Sequence, residues 1–231
     1  MSKLKIYIDG PTESEMKELV THDISGYTFN PTLFKNLGVT DYLGHSENIL
    51  KISNNLPVSL EVIGDNYDDM VAQARKLSSL GSNVFVKIPI TYTNGVSTLE
   101  TIKTLVDENI HLNITAIFTL NQIKHILPTL KDSDAIISVF AGRIYDIGID
   151  ASPVLSEMAT YIHDNSKCDL LWASPRMHYD SITAKEVGCD IITMTNSMYK
   201  KMSVIGKTPE EYSIDTVKMF FNDAIASGFK I

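Results

Sequence analysis

The chain has 231 residues, 44% of them hydrophobic, and a formal net charge of −8 at pH 7. That length suits one domain with a sizeable core, taken here as residues 1–231, and the acidic balance argues against a nucleic-acid partner. No apolar run is long enough to span a bilayer, so no membrane partner is expected.

Short β-rich runs alternate with helical patterns along the whole chain. A strand over residues 5–9 leads into a helix over 12–21, which opens with a capping box, Thr12 followed by Glu15. Strands follow at 27–30 and 58–63, then a helix over 67–80 that ends at Gly81, a C-cap signal. The strand at 84–89 precedes a helix over 96–108, and the strand at 112–118 a helix over 121–130. Strand 135–140 pairs in order with helix 153–164, strand 170–174 with helix 181–187, and strand 191–195 with helix 196–204. A last helix over 214–226, within an arm of about 213–227, ends before Gly228. The start of the chain runs straight into the first strand, without the apolar core or cleavage site of a signal peptide.

Eight β/α units and one extra helix predict an α/β fold, a (β/α)8 TIM barrel with an additional C-terminal helix. A doubly wound open sheet is the alternative. It normally carries a glycine-rich first turn, and here that turn is Asp9-Gly10-Pro11-Thr12.

In a barrel, chemistry sits at the C-terminal ends of the strands. Polar residues recur there: Asp9, Asn30, Glu61, Lys87, Asn113 with Thr115, Ser138 with Arg143 just beyond, and Ser174 followed by Arg176. Side chains alternate across a strand, so Asn113 and Thr115 share a face, as would Ser174 and Arg176 if the strand continues. Lys87 stands out in the apolar run Val84-Phe85-Val86-Lys87-Ile88-Pro89. A low-dielectric site disfavours the charged form of an amine, and a neutral amine is the nucleophile for a Schiff base with a carbonyl substrate. Arg143 and Arg176 are two of only three arginines, and a guanidinium fork suits phosphate.

Each residue also has a plainer reading. Lys87 could reach solvent or pair with Glu61. Asp9 and Asn30 could cap the helices that follow them. Arg143 or Arg176 could form a salt bridge with Asp146 or Asp180. Gly206-Lys207-Thr208 resembles the end of a P-loop, but Lys201 stands where the first glycine is required. The six histidines show no metal-ligand spacing, and Cys168 and Cys189 form no zinc pair, so no metal is expected. Two cysteines are too few for a disulfide framework and read as thiols in a reducing cytoplasm.

Taken in order, these residues resemble the transaldolase family. The resemblance rests on Tyr7-Ile8-Asp9, Thr28-Phe29-Asn30-Pro31-Thr32-Leu33, Val58-Ser59-Leu60-Glu61-Val62, Val86-Lys87-Ile88-Pro89, Leu112-Asn113-Ile114-Thr115, Ser138-Val139-Phe140-Ala141-Gly142-Arg143-Ile144 and Ala173-Ser174-Pro175-Arg176. The short length is similar to the subfamily that includes fructose-6-phosphate aldolase. In that aldolase branch a glutamine usually stands at the position of Glu61 and a tyrosine at that of Phe140, so both residues favour transfer over release. Trp172, Pro175 and the pair Thr28-Phe29 depart from the usual pattern, and they fall toward the acceptor and phosphate end.

The resemblance implies that Lys87, Asp9, Glu61 and Thr115 are catalytic. It implies that Asn30, Asn113, Ser138, Phe140, Arg143, Ser174 and Arg176 bind substrate. The implied reaction moves a dihydroxyacetone unit from sedoheptulose 7-phosphate to glyceraldehyde 3-phosphate, as in the pentose phosphate pathway, through a lysine Schiff base and without a cofactor. Release of free dihydroxyacetone, or binding of sugar phosphates without turnover, are the competing readings. A homo-oligomer is also implied, with a decamer of stacked pentamers as the candidate assembly and the C-terminal helix as a candidate arm.

Overall fold

The computed structural model describes residues 3–19 and 22–230. The predicted end of the first helix, Val20 and Thr21, and the outermost residues of the predicted 1–231 domain lie outside the described residues. Eight parallel strands close in sequence order into a barrel, with β1 paired to both β2 and β8. They are β1 Lys5–Asp9, β2 Gly26–Thr28, β3 Val58–Glu61, β4 Val84–Pro89, β5 Leu112–Ile117, β6 Ile136–Val139, β7 Asp169–Trp172 and β8 Ile191–Met194. Around them run α1 Glu13–Leu19, α2 Pro31–Asn36, α3 Tyr42–Ile52, α4 Tyr67–Ser78, α5 Leu99–Asp107 and α6 Leu120–Leu130. The ring continues with α7 Ala141–Asp146, α8 Ala151–Asn165, α9 Asp180–Glu186 and α10 Asn196–Lys201, and α11 Pro209–Ser227 ends the chain. This is the predicted TIM barrel with a C-terminal helix.

Strand alternation sorts the residues into two sets. Ile8, Leu60, Val86, Ile88, Ile114, Ile137, Leu170, Trp172 and Ile192 point outward and pack under the helices in the main core. Each such aliphatic side chain stabilises the fold by about 1.5–3 kcal/mol on full burial. Tyr7, Ile136, Leu171, Ala173 and Ile191 form a second, smaller cluster, flanked by Phe85. These belong to the opposite parity and plug the barrel interior. Gly26 makes room for the plug, because a Cβ there would lie 2.6 Å from Cζ of Tyr7. The interior side chains one step further along the strands are polar, and they sit above the plug.

The structure differs from the sequence expectations at several ends. Strand β2 stops at Thr28, two residues early, because Asn30 turns to cap α2. Helices α2 and α3 were not predicted, although Asn30-Pro31 and Asp41 supply the cap and first-turn signals. Helix α5 starts at Leu99 because Thr91 and Ser97 form a β-bridge upstream of it. Helix α11 begins five residues before 214 through a capping box between Thr208 and Glu211, with Pro209 in its first turn. No described helix is long and apolar enough to cross a membrane.

Candidate active site

A cavity of about 460 Å³ opens at the C-terminal ends of the strands. Every strand contributes to its lining: Asp9, Thr28, Glu61, Lys87, Thr115, Ser138, Leu171 and Thr193. The apolar plug below makes this a closed-bottom pocket, so water and substrate enter from the mouth.

Lys87 is the centre of the floor and only 5% exposed. Its Nζ donates to the carbonyl oxygen of Phe29 at 3.0 Å and lies 3.0 Å from Oε2 of Glu61. Glu61 and Lys87 are register partners on neighbouring strands, which is why their side chains meet. The pairing reading and the cavity reading of Lys87 therefore hold together: the amine is ion-paired and faces the pocket. Tyr42 on α3 donates its hydroxyl to the Glu61 carbonyl at 2.6 Å and so fixes the end of β3.

Asp9 does not cap α1. Thr12 and Glu15 cap that helix reciprocally. The Asp9 carboxylate instead accepts a 2.6 Å hydrogen bond from Thr28 Oγ1, which lies 2.6 Å from Thr193 Oγ1. Because Thr28 spends its proton on Asp9, Thr193 must donate to Thr28. Burial raises the Asp9 pKa above the ordinary carboxylate range. The Lys87 charge and the Thr28 hydrogen bond counter part of that rise, and the Glu61 charge adds to it.

On the opposite wall, Ser138 donates to Oδ1 of Asn113 at 2.6 Å, and Nδ2 of Asn113 donates to Ser59 at 3.0 Å. Asn113 lies under the floor rather than in the lining, and its amide holds Ser138 in place. Thr115 lines the cavity, and its buried hydroxyl has no hydrogen-bond partner among the described residues. A register shift in β5 between Ile114 and Ile117 accompanies Ala116 at φ 59°, a left-handed conformation that a side chain rarely adopts. Asn30 has both of its foreseen places: Oδ1 caps α2 by accepting from Leu33 N–H at 2.9 Å, and the residue lines the cavity.

The outer end holds Phe140, Arg143 and Ser174. The Arg143 guanidinium stands 5.4 Å over the Phe140 ring, a cation–π stack that leaves its N–H edge available. Arg176 does not share the face of Ser174. Strand β7 ends at Trp172, and Ser174 takes φ 59°, which breaks the alternation the sequence suggested. Ser174 lines the cavity and Arg176 does not. Arg176 instead forms a two-pronged pair with Asp146, with Nε 2.9 Å from Oδ1 and Nη2 on Oδ2. Asp180, the other foreseen partner, accepts from the backbone N–H of Arg176 and Met177 instead. Gly142 permits this arrangement, since a Cβ there would collide with the Ser174 carbonyl oxygen. Trp172 packs outward near Tyr145, with ring centroids 6.1 Å apart, so this departure from the family pattern does not face the cavity.

Sequence reasoning missed Thr28 and Thr193. Both were legible by parity: Thr28 lies two residues before Asn30, and Thr193 sits at the matching level of the eighth strand, to which no site residue had been assigned. Among the described residues no group of three or more His, Cys, Asp or Glu could hold a metal ion.

Fold and site together define a class: a closed (β/α)8 barrel with a buried amine paired to one carboxylate, and a second carboxylate in the same cavity, at the C-terminal ends of its strands. The chain belongs to the transaldolase/fructose-6-phosphate aldolase family, whose model matches residues 6–230. A probable transaldolase of Thermoplasma volcanium is 36% identical over 211 residues, covering 90% of this chain and 91% of that protein. A probable transaldolase of Thermoplasma acidophilum is 34% identical over the same shares, and one of Thermoanaerobacter is 29% identical across 99% of this chain and all of that protein. Among the solved barrels that share the fold are two at 10–11% identity. They are a structure described as native KDPGal (TM-score 0.58; 90% of this chain, 88% of that one) and a putative phosphonomutase from Burkholderia cenocepacia (TM-score 0.59; 95% and 94%).

Proposed function

We propose that this protein is a transaldolase that moves a dihydroxyacetone unit between sugar phosphates through a Schiff base on Lys87. One observation carries the reading: a 5% exposed lysine at the floor of the cavity, 3.0 Å from Glu61, with Asp9 in the same lining. Binding of sugar phosphate alone does not require an amine buried against a carboxylate.

Lys87 gives up a proton through the water held by Glu61 and Thr115 and attacks the ketone carbon of the donor, sedoheptulose 7-phosphate or fructose 6-phosphate. Loss of water yields the imine, which draws electrons as the C3–C4 bond breaks. Asp9 takes the C4 hydroxyl proton in that step as general base. The aldose phosphate leaves, and the three-carbon enamine stays on Lys87. Glyceraldehyde 3-phosphate or erythrose 4-phosphate then enters, and the steps run in reverse. Glu61 and the unpartnered Thr115 hydroxyl hold the water that is lost and regained. Asn30 and Ser138 hold the hydroxyls of the retained unit, with Asn113 acting through Ser138. Arg143, Ser174 and Arg176 take the phosphate. No cofactor is needed, because the protonated imine is itself the electron sink.

Glu61 and Phe140 favour transfer over release, since an apolar ring in the cavity lining offers no hydroxyl to hold a water for hydrolysis of the enamine. The test is a side-by-side assay with fructose 6-phosphate. Transfer to erythrose 4-phosphate should exceed release of free dihydroxyacetone, and dominant release would move the chain to the aldolase side of its family.

The protein works as a homo-oligomer, with a decamer as the expected assembly, in the cytoplasm. Helix α11 supports the assembly: Val217, Phe220, Phe221 and Ile225 are each more than 60% exposed, and none of its residues is buried. An apolar face of that kind calls for a partner surface. Sedimentation should give a multiple of 25.7 kDa, and a monomer would contradict this.

A further inference from the structure

The sequence assigns Arg176 to phosphate, yet the structure gives its fork to a carboxylate. We infer that Asp146 is a specificity-determining residue: it occupies Arg176 as an internal anion that the substrate phosphate must displace to gain a second guanidinium. The inference rests on the proposed phosphate role of Arg143, Ser174 and Arg176.

Four observations carry it. The Asp146 carboxylate takes Nε and Nη2 of Arg176 side by side, the same two-pronged geometry that a guanidinium offers to phosphate. Arg176 Nη1 donates to Ser174 Oγ at 3.1 Å and to the Ser174 carbonyl at 3.3 Å, so the guanidinium stands directly behind a residue of the cavity wall. Ser174 Oγ accepts from Arg176, which leaves its own O–H to donate into the cavity. The pair is half in solvent, with side chains 39% and 54% exposed.

An exposed pair is a weak one. A sugar phosphate brings about −1.5 to −2 charges against the single charge of a carboxylate. Displacement is therefore downhill, yet Asp146 still subtracts from the net phosphate affinity. Asp146 is a full anion at neutral pH, because the hydrogen bonds from Arg176 hold it below the usual carboxylate range and the Arg143 charge reinforces this. Arg143 and Asp146 lie one turn apart on α7, so one short helix carries both the cavity cation and the competitor. A transferase must release one aldose phosphate before the next can bind. A carboxylate waiting beside Arg176 speeds that exchange.

The test is a double-mutant cycle read by calorimetric titration with inorganic phosphate, which needs no turnover. Asp146→Asn should tighten phosphate binding about fivefold, the scale of a freed exposed ion pair. Arg176→Met should weaken it, and the Asp146→Asn gain should vanish in the Arg176→Met background. The KM of Asp146→Asn for unphosphorylated fructose should not change. Asp146→Ser is the second variant, and thermal melting of each checks the fold. Unchanged or weaker phosphate binding in both Asp146 variants would overturn the inference, and so would a gain that persists without Arg176. Failure of the parent reading looks different: phosphate affinity would then be unchanged in Arg143→Met as well as in Arg176→Met.

Discussion

Lys87 and Arg176 mark two ends of the site that are built in opposite ways. Lys87 is 5% exposed and held by Glu61 and the Phe29 carbonyl, and its neighbours Asp9, Ser138 and Asn113 are tied into chains of short hydrogen bonds. Arg176 is exposed, its partner is exposed, and the backbone beside it leaves the strand pattern at Ser174. The rigid end suits bond making, where geometry must hold to a fraction of an ångström. The open end suits exchange of charged substrates, where contacts must form and break in each cycle.

Substitutions sharpen this contrast. Lys87→Met should have the largest effect, lowering kcat at least about a thousandfold by removing the nucleophile. Steady-state transfer assays would read it, and substantial residual turnover would break the distinction between the ends. Asp9→Asn comes next, with transfer slowed by about a hundred- to ten-thousandfold as the general base is lost. The same variant should be more stable than wild type at neutral pH. Burial raises the Asp9 pKa, so the folded state favours its protonated form. Stability from such a group is present at low pH and is lost as pH rises through the folded value. Asparagine keeps the neutral form throughout, so the gain in Tm at pH 7 should close toward about pH 4. A gain that grew on acidification would contradict the burial account.

Ser138→Ala should cost about 1–3 kcal/mol in chemical denaturation, because Oδ1 of Asn113 is left buried without its donor. Gly142→Ala should have the smallest effect on chemistry. Its Cβ displaces the Ser174 carbonyl, so KM for phosphorylated donors should rise while the kcat for unphosphorylated ones holds. Equal losses for both classes would mean that the two ends are not separable.

The contrast also explains what could be read from the chain. The eight strands were legible because apolar side chains at alternate positions feed the outer core, while a polar residue interrupts each run near its end. Lys87 and Glu61 were legible for the same reason. Helices α2 and α7 were not, since each buries too few large apolar side chains to show a helical period, only Phe34 in α2 and Ile144 beside Ala141 and Gly142 in α7, and α3 buries only Ser46 and Ile49. Arg176 was placed by extending strand alternation past Trp172. A left-handed serine is not visible in sequence, because nothing in a serine side chain announces φ 59°. The Asp146 alternative was visible, but choosing it depends on contacts between loops that only tertiary packing sets.

The central claim is covalent chemistry at Lys87, and borohydride reduction tests it most directly. Active protein incubated with fructose 6-phosphate and reduced should gain the mass of one reduced dihydroxyacetone or hexose phosphate unit, localised to Lys87 by peptide mapping. An active protein that carries no adduct, or carries it at another lysine, would contradict the account.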